Sequence, residues 1–496
     1  MASSPARLHN GPSITVPLWI DGREELRPST FDVFSPTLND TCWNAAAASR
    51  EDAIRAVESS HEAFKLWSKT KPVVRSEVIL KTAAVLEANA AEFAAYMSTE
   101  MGAETSVAQF FVLPLAVQML KDLAGRCSSI TGIVPTVQQE GQSSIVYKEP
   151  YGVTLGICPC LIPELLPIIT RNAPFVFAVR SAATAVATGN TAILKGSELT
   201  PRSYWAIGKA FHEAGLPKGV VNVLSCPPSK AASIVETMIQ HAAVRKINFT
   251  GSAAVGKKVA RACGENLKPC LMELGGKNSA IVLEDADLNL AVQACIAGSL
   301  INAGQICMAT DHIIVHSSIA EKFSTTLKEA LARSSGEQPL PRVVSTASKA
   351  RLQGLLSQAV GKGAKVLFGG SGTETLPATS IIPTVLSGVG KTADIWDEES
   401  FGPVMALTTV SSEEEAVELA NRSQYGLSAS VFTRDLRKGL AIARKLESGA
   451  VHINSMTIHD EVALPFGGIK NSGWGRFNAE QGMEEFLVTK SVTWDD

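Results

Sequence analysis

The sequence predicts an α/β protein built on a parallel, doubly wound sheet, and three observations carry that expectation. Between residues 153 and 280, the short apolar runs V-T-L-G-I, N-T-A-I-L-K, V-V-N-V-L-S, K-I-N-F-T-G-S and A-I-V-L alternate with stretches of helical character. Strands that alternate with helices pair in parallel and present ligands at their carboxyl ends. Two of those ends carry binding chemistry: residues 191–194 deliver Lys195-Gly196-Ser197-Glu198, and residues 247–250 deliver Gly251-Ser252, with Gly256 in the first turn of the helix that follows. Backbone N–H groups at a helix start suit a phosphate, and glycine permits close approach. The third observation is a second α/β stretch over residues 281–460, with strands expected at 365–368 and 429–433.

Size and composition bound the rest. At 496 residues the chain is long enough for two or three domains. With 45% hydrophobic and 19% charged residues it is an ordinary globular chain with a large core. A formal charge of −3 gives no long-range pull towards nucleic acid or an anionic membrane, and no basic block is interleaved with aromatics. Nucleic acid is therefore not an expected partner. The nine cysteines are scattered and odd in number, as for reduced thiols in the cytoplasm. Cys158-Pro-Cys160 is too tight for a C-x-x-C motif, and no Cys/His cluster has metal-ligand spacing, so no metal is expected. The first residues lack a secretory apolar core, and no run reads as the roughly 20 apolar residues of a membrane span. The reading is a cytoplasmic protein.

In chain order, L-W-I-D-G-R and F-D-V-F-S-P read as short strands broken at Asp21-Gly22 and Ser35-Pro36. Ser49 with Asp52 forms a capping-box pattern, and Ile54, Val57, Phe64 and Trp67 follow at near-helical spacing. Further helices are expected over about 74–88, 89–101 and from Ser106, the last kinked at Pro114; their work is packing. Residues 130–150 read as two strands around Glu140-Gly141. An isolated hairpin is marginal, so another subunit or the C-terminal run 486–494 is its expected partner.

Two segments carry reactive groups. Cys307 lies in I-N-A-G-Q-I-C-M-A-T (301–310), where a thiol is either a small apolar core residue or a nucleophile. Glu273 ends an apolar run and precedes Leu274-Gly275-Gly276, so partial burial is expected, which raises a carboxyl towards general-base range. Glu273 and Cys307 are 34 positions apart.

E-L-G-G-K-N (273–278), G-Q-I-C-M-A-T (304–310), E-E-S-F-G-P-V (398–404) and P-F-G-G-I-K-N-S-G-W-G-R (465–476), in this order and spacing, resemble the aldehyde dehydrogenase superfamily over nearly the whole chain. The resemblance implies a Rossmann-like NAD-binding domain (1–130 and 151–272), an α/β catalytic domain (273–484) and small oligomerisation strands (131–150 and 485–496). It implies Cys307 as the nucleophile that forms a thiohemiacetal and then a thioester. Glu273 would activate the hydrolytic water, and Asn172 of N-A-P, with the Cys307 N–H, would stabilise the oxyanion. Lys195 and Glu198 would hold the adenosine ribose, Ser252 the diphosphate beside Gly251 and Gly256, and Glu399 the nicotinamide ribose with Phe401 packed beside it. A carboxylate at Glu198 favours NAD, with NADP possible. The run 451–461 looks most like the branch handling aromatic aldehydes, with Phe111, Phe177, His459 and Phe466 as pocket wall. A homodimer or homotetramer is also implied.

Two departures stand out. Eleven extra residues, L-I-P-E-L-L-P-I-I-T-R (161–171), separate Pro159-Cys160 from Asn172, where the family has a contiguous P-W-N. They shift Asn172, block the cofactor channel, or fold harmlessly outside. If they block it, the chain keeps the fold and serves binding or structure without turnover. The second departure, S-S-G-E-Q-P-L-P-R-V-V (334–344), is shorter than the family's segment and is expected to be a surface connection with little catalytic effect.

Overall fold

Strands β1 (Val153–Ile157), β2 (Thr191–Lys195) and β3 (Val221–Leu224) are buried along their whole length. With no polar face to offer water, they need cover on both sides of the sheet. This computed structural model describes residues 14–158, 173–335, 340–370, 376–390 and 392–495. After β3 come β4 (Val244–Thr250), helix α1 (Ala253–Glu265) and β5 (Cys270–Glu273). The five strands pair in parallel in the order β5-β4-β1-β2-β3, with Gly473–Trp474 and Leu18–Ile20 added antiparallel at the two sides. The chain runs from β1 outward to β3 and then returns to β4 on the other side of β1. That reversal opens a crevice at the carboxyl ends of β1 and β4.

A second parallel sheet contains β6 (Asn278–Val282), β7 (Thr310–His316), β8 (Thr384–Ser387), β9 (Val404–Val410), β10 (Ser428–Phe432) and β11 (Ala450–Ile453), ordered β8-β9-β7-β6-β10-β11. Lys365–Phe368 joins β8 antiparallel. The A-I-V-L run, expected as the last strand of the first sheet, instead lies in β6 of the second. Its expected place is taken by Cys270–Glu273. Only residues 274–277 separate the two sheets, so Glu273 ends one sheet and Asn278 begins the other.

The 130–150 region departs from expectation. Only Gln142–Pro150 forms a strand, paired antiparallel with Leu487–Asp495 from Leu487↔Pro150 to Asp495↔Gln142. The first half meets it at one β-bridge, Ile133↔Val146, and through the Ser144 hydroxyl, which donates to the Pro135 carbonyl at 3.0 Å. Pro135 follows soon after and has no N–H to extend a ladder.

The Ser49–Asp52 capping box is present on helix Arg50–Trp67. The helix expected from Ser106 is interrupted before Pro114 by a π turn, Ala108–Val112, and resumes at Leu113–Arg126. By length and composition the run Thr105–Ser129 is apolar enough to cross a bilayer, contrary to the sequence expectation, but half of it is buried inside the protein. It is a core helix, and its π turn matters to the site.

Candidate active site

The turn before Cys307 is strained. Asn302, Ala303 and Gly304 take φ values of 53°, 57° and 68°, so two residues with side chains adopt the left-handed conformation in succession. Each costs on the order of 1–3 kcal/mol and persists only when its surroundings enforce it. Gln305 does part of that. Its amide nitrogen donates to the carbonyls of Asn302 and Arg342, both at 3.2 Å, and its oxygen accepts from the Val344 N–H at 2.9 Å. The end of the 334–344 segment is therefore no mere surface connection. Val343 is fully buried, and the segment braces the residue two before Cys307.

Asn278 holds the other side. Its amide nitrogen donates to the carbonyls of Cys307 and Ala309, both at 2.9 Å, while its oxygen accepts from the Ser428 N–H at 3.0 Å. One side chain at the start of β6 thus ties the Cys307 loop to β10. The two glycines before it are required by the same closeness. A Cβ at Gly276 would overlap the Cys307 carbonyl oxygen, and one at Gly275 would overlap the Glu399 carboxylate. Gly276→Ala is expected to push the Cys307 loop aside and lower kcat by about 100-fold, the scale of a misplacement near 1 Å. Steady-state kinetics would check it, and unchanged kcat would contradict this account of the glycine.

Glu273, at the end of β5, is 1% exposed. Burial pushes its carboxyl up to about 7, partly offset by the Arg180 guanidinium and by the Cys307 thiol. The Cys307 thiol and Thr250 are its hydrogen-bonding neighbours, and neither closes a full hydrogen bond on the carboxylate. A buried acceptor of this kind is costly unless something bonds to it, and water is the natural occupant. Cys307 is itself buried, and its thiol is pushed well above its ordinary range by burial and by the charges of Glu273 and Glu399. Asn172 lies outside the described residues; Ala173, which follows it, lines the same cavity as Cys307.

Of the cofactor residues named from sequence, Lys195, Glu198, Gly251, Ser252 and Gly256 follow the carboxyl edge of the first sheet, and Glu399 and Phe401 lie just before β9 of the second. Lys195 and Glu198 are buried, with Nζ and Oε2 3.9 Å apart. The Gly251 N–H bonds the Glu273 carbonyl at 3.0 Å. Ser252 caps α1, its hydroxyl accepting from the Val255 N–H at 3.3 Å. Gly256 serves packing: a Cβ there would come within 2.6 Å of Leu274, so its absence lets α1 settle beside β5. Glu399 is 2% exposed, accepts from the Gly276 N–H at 3.2 Å, and is pushed up to about 8 by burial. Arg351 donates to the Glu399 carbonyl at 3.1 Å and to that of Ser400. Phe401 is buried with φ 48°. This set fits a dinucleotide: a buried acid beside a lysine for ribose hydroxyls, a helix start for diphosphate, and a second buried acid close to Cys307.

Above Cys307 is a narrow, mainly apolar cavity walled by Phe111, Phe177, Ile306, Ile458 and Phe466. Two π turns shape it. One, Ala108–Val112, carries Phe111, and the other, Val179–Ala183, carries Arg180. Such bulges re-aim side chains and recur at functional sites. His459 is not among the lining residues, contrary to expectation; its ring sits edge-on to His452 at 4.8 Å, while its neighbours Ile458 and Asp460 face the cavity.

Sequence reading missed the polar pair in this wall. Arg180 bonds Asp460 at 2.6 Å with both side chains about 95% buried, their exposures being 4% and 5%. The guanidinium lies 4.2 Å over the Phe466 ring, and Asn478 bonds both partners. The available signal was a lone charge inside the otherwise uncharged run 174–187. A charge so placed must be paired.

The aldehyde dehydrogenase family profile matches residues 19–492. A vanillin dehydrogenase of Pseudomonas fluorescens is 39% identical over 97% of this chain and 98% of its own length. A salicylaldehyde dehydrogenase of Pseudomonas putida is 37% identical over 96% of each. Among solved structures, a salicylaldehyde dehydrogenase from Pseudomonas putida G7 complexed with salicylaldehyde superposes with a TM-score of 0.91 at 34% identity, covering 97% of this chain and 98% of that one. Likeness of this extent, in sequence and in fold and nearly end to end, leaves one conclusion: the chain belongs to the aldehyde dehydrogenase family, NAD(P)-dependent enzymes that oxidise aldehydes.

Proposed function

We propose that this enzyme oxidises aromatic aldehydes to the corresponding acids, with Cys307 as nucleophile and Glu273 as the base. The observation that carries the substrate class is the cavity over Cys307, whose walls include Phe111, Phe177 and Phe466. A flat ring gains both burial and edge-to-face contacts there, and an extended aliphatic chain gains only the first. The likeness to vanillin and salicylaldehyde dehydrogenases supports the same reading.

Cys307 Sγ, once deprotonated, attacks the carbonyl carbon, and the oxyanion is held by the Cys307 N–H with Asn172. The bound nicotinamide cofactor supplies a hydride acceptor. Lys195, Glu198, Ser252 and Glu399 orient that cofactor, and Glu198 favours NAD by repelling a 2′-phosphate. Glu273 then removes a proton from the water that cleaves the Cys307 thioester and frees the acid. Arg180 and Asp460 give the pocket a polar edge whose charges already cancel, which suits a neutral hydroxylated ring.

The test is NADH formation with benzaldehyde, vanillin and a short aliphatic aldehyde, on the full chain and on a 161–171 deletion. The expected result is an active full chain with kcat/KM at least tenfold higher for the aromatic substrates. A ratio near one would remove the aromatic assignment. A silent full chain beside an active deletion would favour the alternative of a switched-off fold. That alternative is disfavoured by the complete set of nucleophile, base and cofactor residues.

We also propose the cytoplasm as its location, the domain limits given from sequence (1–130 with 151–272, 273–484, and 131–150 with 485–496), and a homodimer or homotetramer. The paired strands Gln142–Pro150 and Leu487–Asp495 expose Tyr147, Val492 and Trp494 in one sheet, apolar surface that a second subunit would cover. Light scattering should give two or four times the 52.4 kDa chain mass. A monomer would refute that part.

A further inference from the structure

Cys263 and Cys270 are brought together by the turn that joins α1 to β5. Cys263 is in the last turn of α1, is 1% exposed, and its carbonyl accepts from the Lys268 N–H at 2.9 Å. Leu267, with φ 52°, reverses the chain there. In the sheet, Cys270 is the register partner of Ile247. Partners in parallel strands face the same side, so Cys270 points with Ile247 and Phe249 towards α1. Cys263, Ile247 and Phe249 share one apolar cluster, and Cys270 packs against it. The two thiols lie close enough to act on each other directly. The Trp474 indole N–H, donating to the Cys270 carbonyl at 2.9 Å, fixes the start of β5 beneath the helix end.

The two sulfurs differ in reactivity. Cys270 is only partly buried, and its thiol is lowered to about 7 by the adjacent Cys263 thiol and, less strongly, by the Lys246 ammonium. Cys263, fully buried, is raised by the Cys270 thiol and by burial. The catalytic thiol is buried and raised as well. A partly exposed thiol beside a second, buried thiol is the arrangement of an attacking and a resolving cysteine.

We propose that Cys263 and Cys270 form a redox dithiol, separate from the catalytic site, that reacts with small disulfides before Cys307 does. The Cys270 thiolate attacks one sulfur of R–S–S–R, forming a mixed disulfide and releasing one thiolate. Cys263 then loses its proton and attacks the Cys270 sulfur, releasing the second thiolate. The two cysteines are oxidised to a disulfide, and R–S–S–R is reduced by two electrons to two thiols. The bond closes across the turn between the helix that Ser252 begins and the strand that Glu273 ends.

The probe is oxidised glutathione, added to the full-length reduced enzyme. Samples are alkylated with iodoacetamide and digested with trypsin, and NADH formation is followed in parallel. Residues 262–277 fall in one tryptic peptide because the Lys268-Pro269 bond resists cleavage. The expected result is that most of this peptide loses two hydrogens and takes no alkyl group, while Cys307 still alkylates and at least half the activity remains. In Cys263→Ser the expected product is glutathione held on Cys270, since nothing displaces it. Full alkylation of both cysteines in 262–277 while other thiols oxidise would overturn the proposal. So would modification of Cys307 ahead of them. Should Cys263→Ser fail to fold, the wild-type peptide alone decides.

Discussion

Cys307→Ala is expected to lower NADH formation from every aldehyde by at least about 10,000-fold while leaving the fold intact, as for removal of a covalent nucleophile. The fold should survive because the loop is held by groups other than the thiol. Asn278 bonds the carbonyls of Cys307 and Ala309, and Gln305 bonds the backbone of residues 302, 342 and 344. Removing one sulfur leaves all of these in place. The measurement is turnover with saturating aldehyde and NAD, beside a thermal melt. A variant that retains a tenth of wild-type activity would exclude Cys307 as nucleophile. A variant that loses both activity and fold would show the thiol to be a packing residue.

The second large effect is on Glu273→Gln. Gln keeps the shape but cannot take a proton from water, so hydrolysis of the Cys307 thioester should fall by about 100- to 10,000-fold. The first half of the reaction should persist. The Glu273 charge is one of the causes that raise the Cys307 thiol, so its removal makes the thiolate easier to form. The expected trace is a burst of NADH, no more than one per site, followed by a near-flat line, with acyl group recoverable on the Cys307 peptide. Continued multiple turnover at wild-type rate would exclude Glu273 as the base. Wild-type activity should rise with pH through about 7, because the ionised carboxylate is the active form. The variant should lose that rise.

The same carboxyl has an opposite effect on stability. Its folded value, about 7, lies above its ordinary 4.5, so the folded state binds this proton more tightly than the unfolded state. Stability from that proton is fully present below about 4.5 and is lost as pH rises towards 7. Glu273→Gln, which is never charged, should therefore melt at a higher temperature than wild type at pH 8 and match it most closely at low pH. Gain in stability with loss of turnover is the signature of a buried catalytic acid.

Much of this was legible in the sequence because it depends on local order. The runs that became β1 to β4 and β6 each carry a short apolar stretch set between helical segments, the Ser49–Asp52 pair caps its helix through contacts three residues apart, and the motifs around Glu273 and Cys307 lie in contiguous residues. The sheet membership of Cys270–Glu273 and Asn278–Val282 was not legible, since periodicity says which residues are buried and not against what. Pro114 invited the expectation of a kink, and a π turn placed just before it instead turned a packing helix into a cavity wall.

The sequence alone thus determined the fold class and the family, and it named the candidate nucleophile, base and cofactor residues proposed above. Tertiary structure decided which distant residues share the site: Asp460 opposite Arg180, Val344 against Gln305, Glu399 over Gly275. Those partners lie 39 to 280 positions apart, or across 124 positions for Glu399 and Gly275 (399 − 275), and nothing local distinguishes them beforehand. The physical reason is burial. A charge or amide taken out of water must find its partner in whatever part of the chain the packing brings near, and only the packed structure says which part that is.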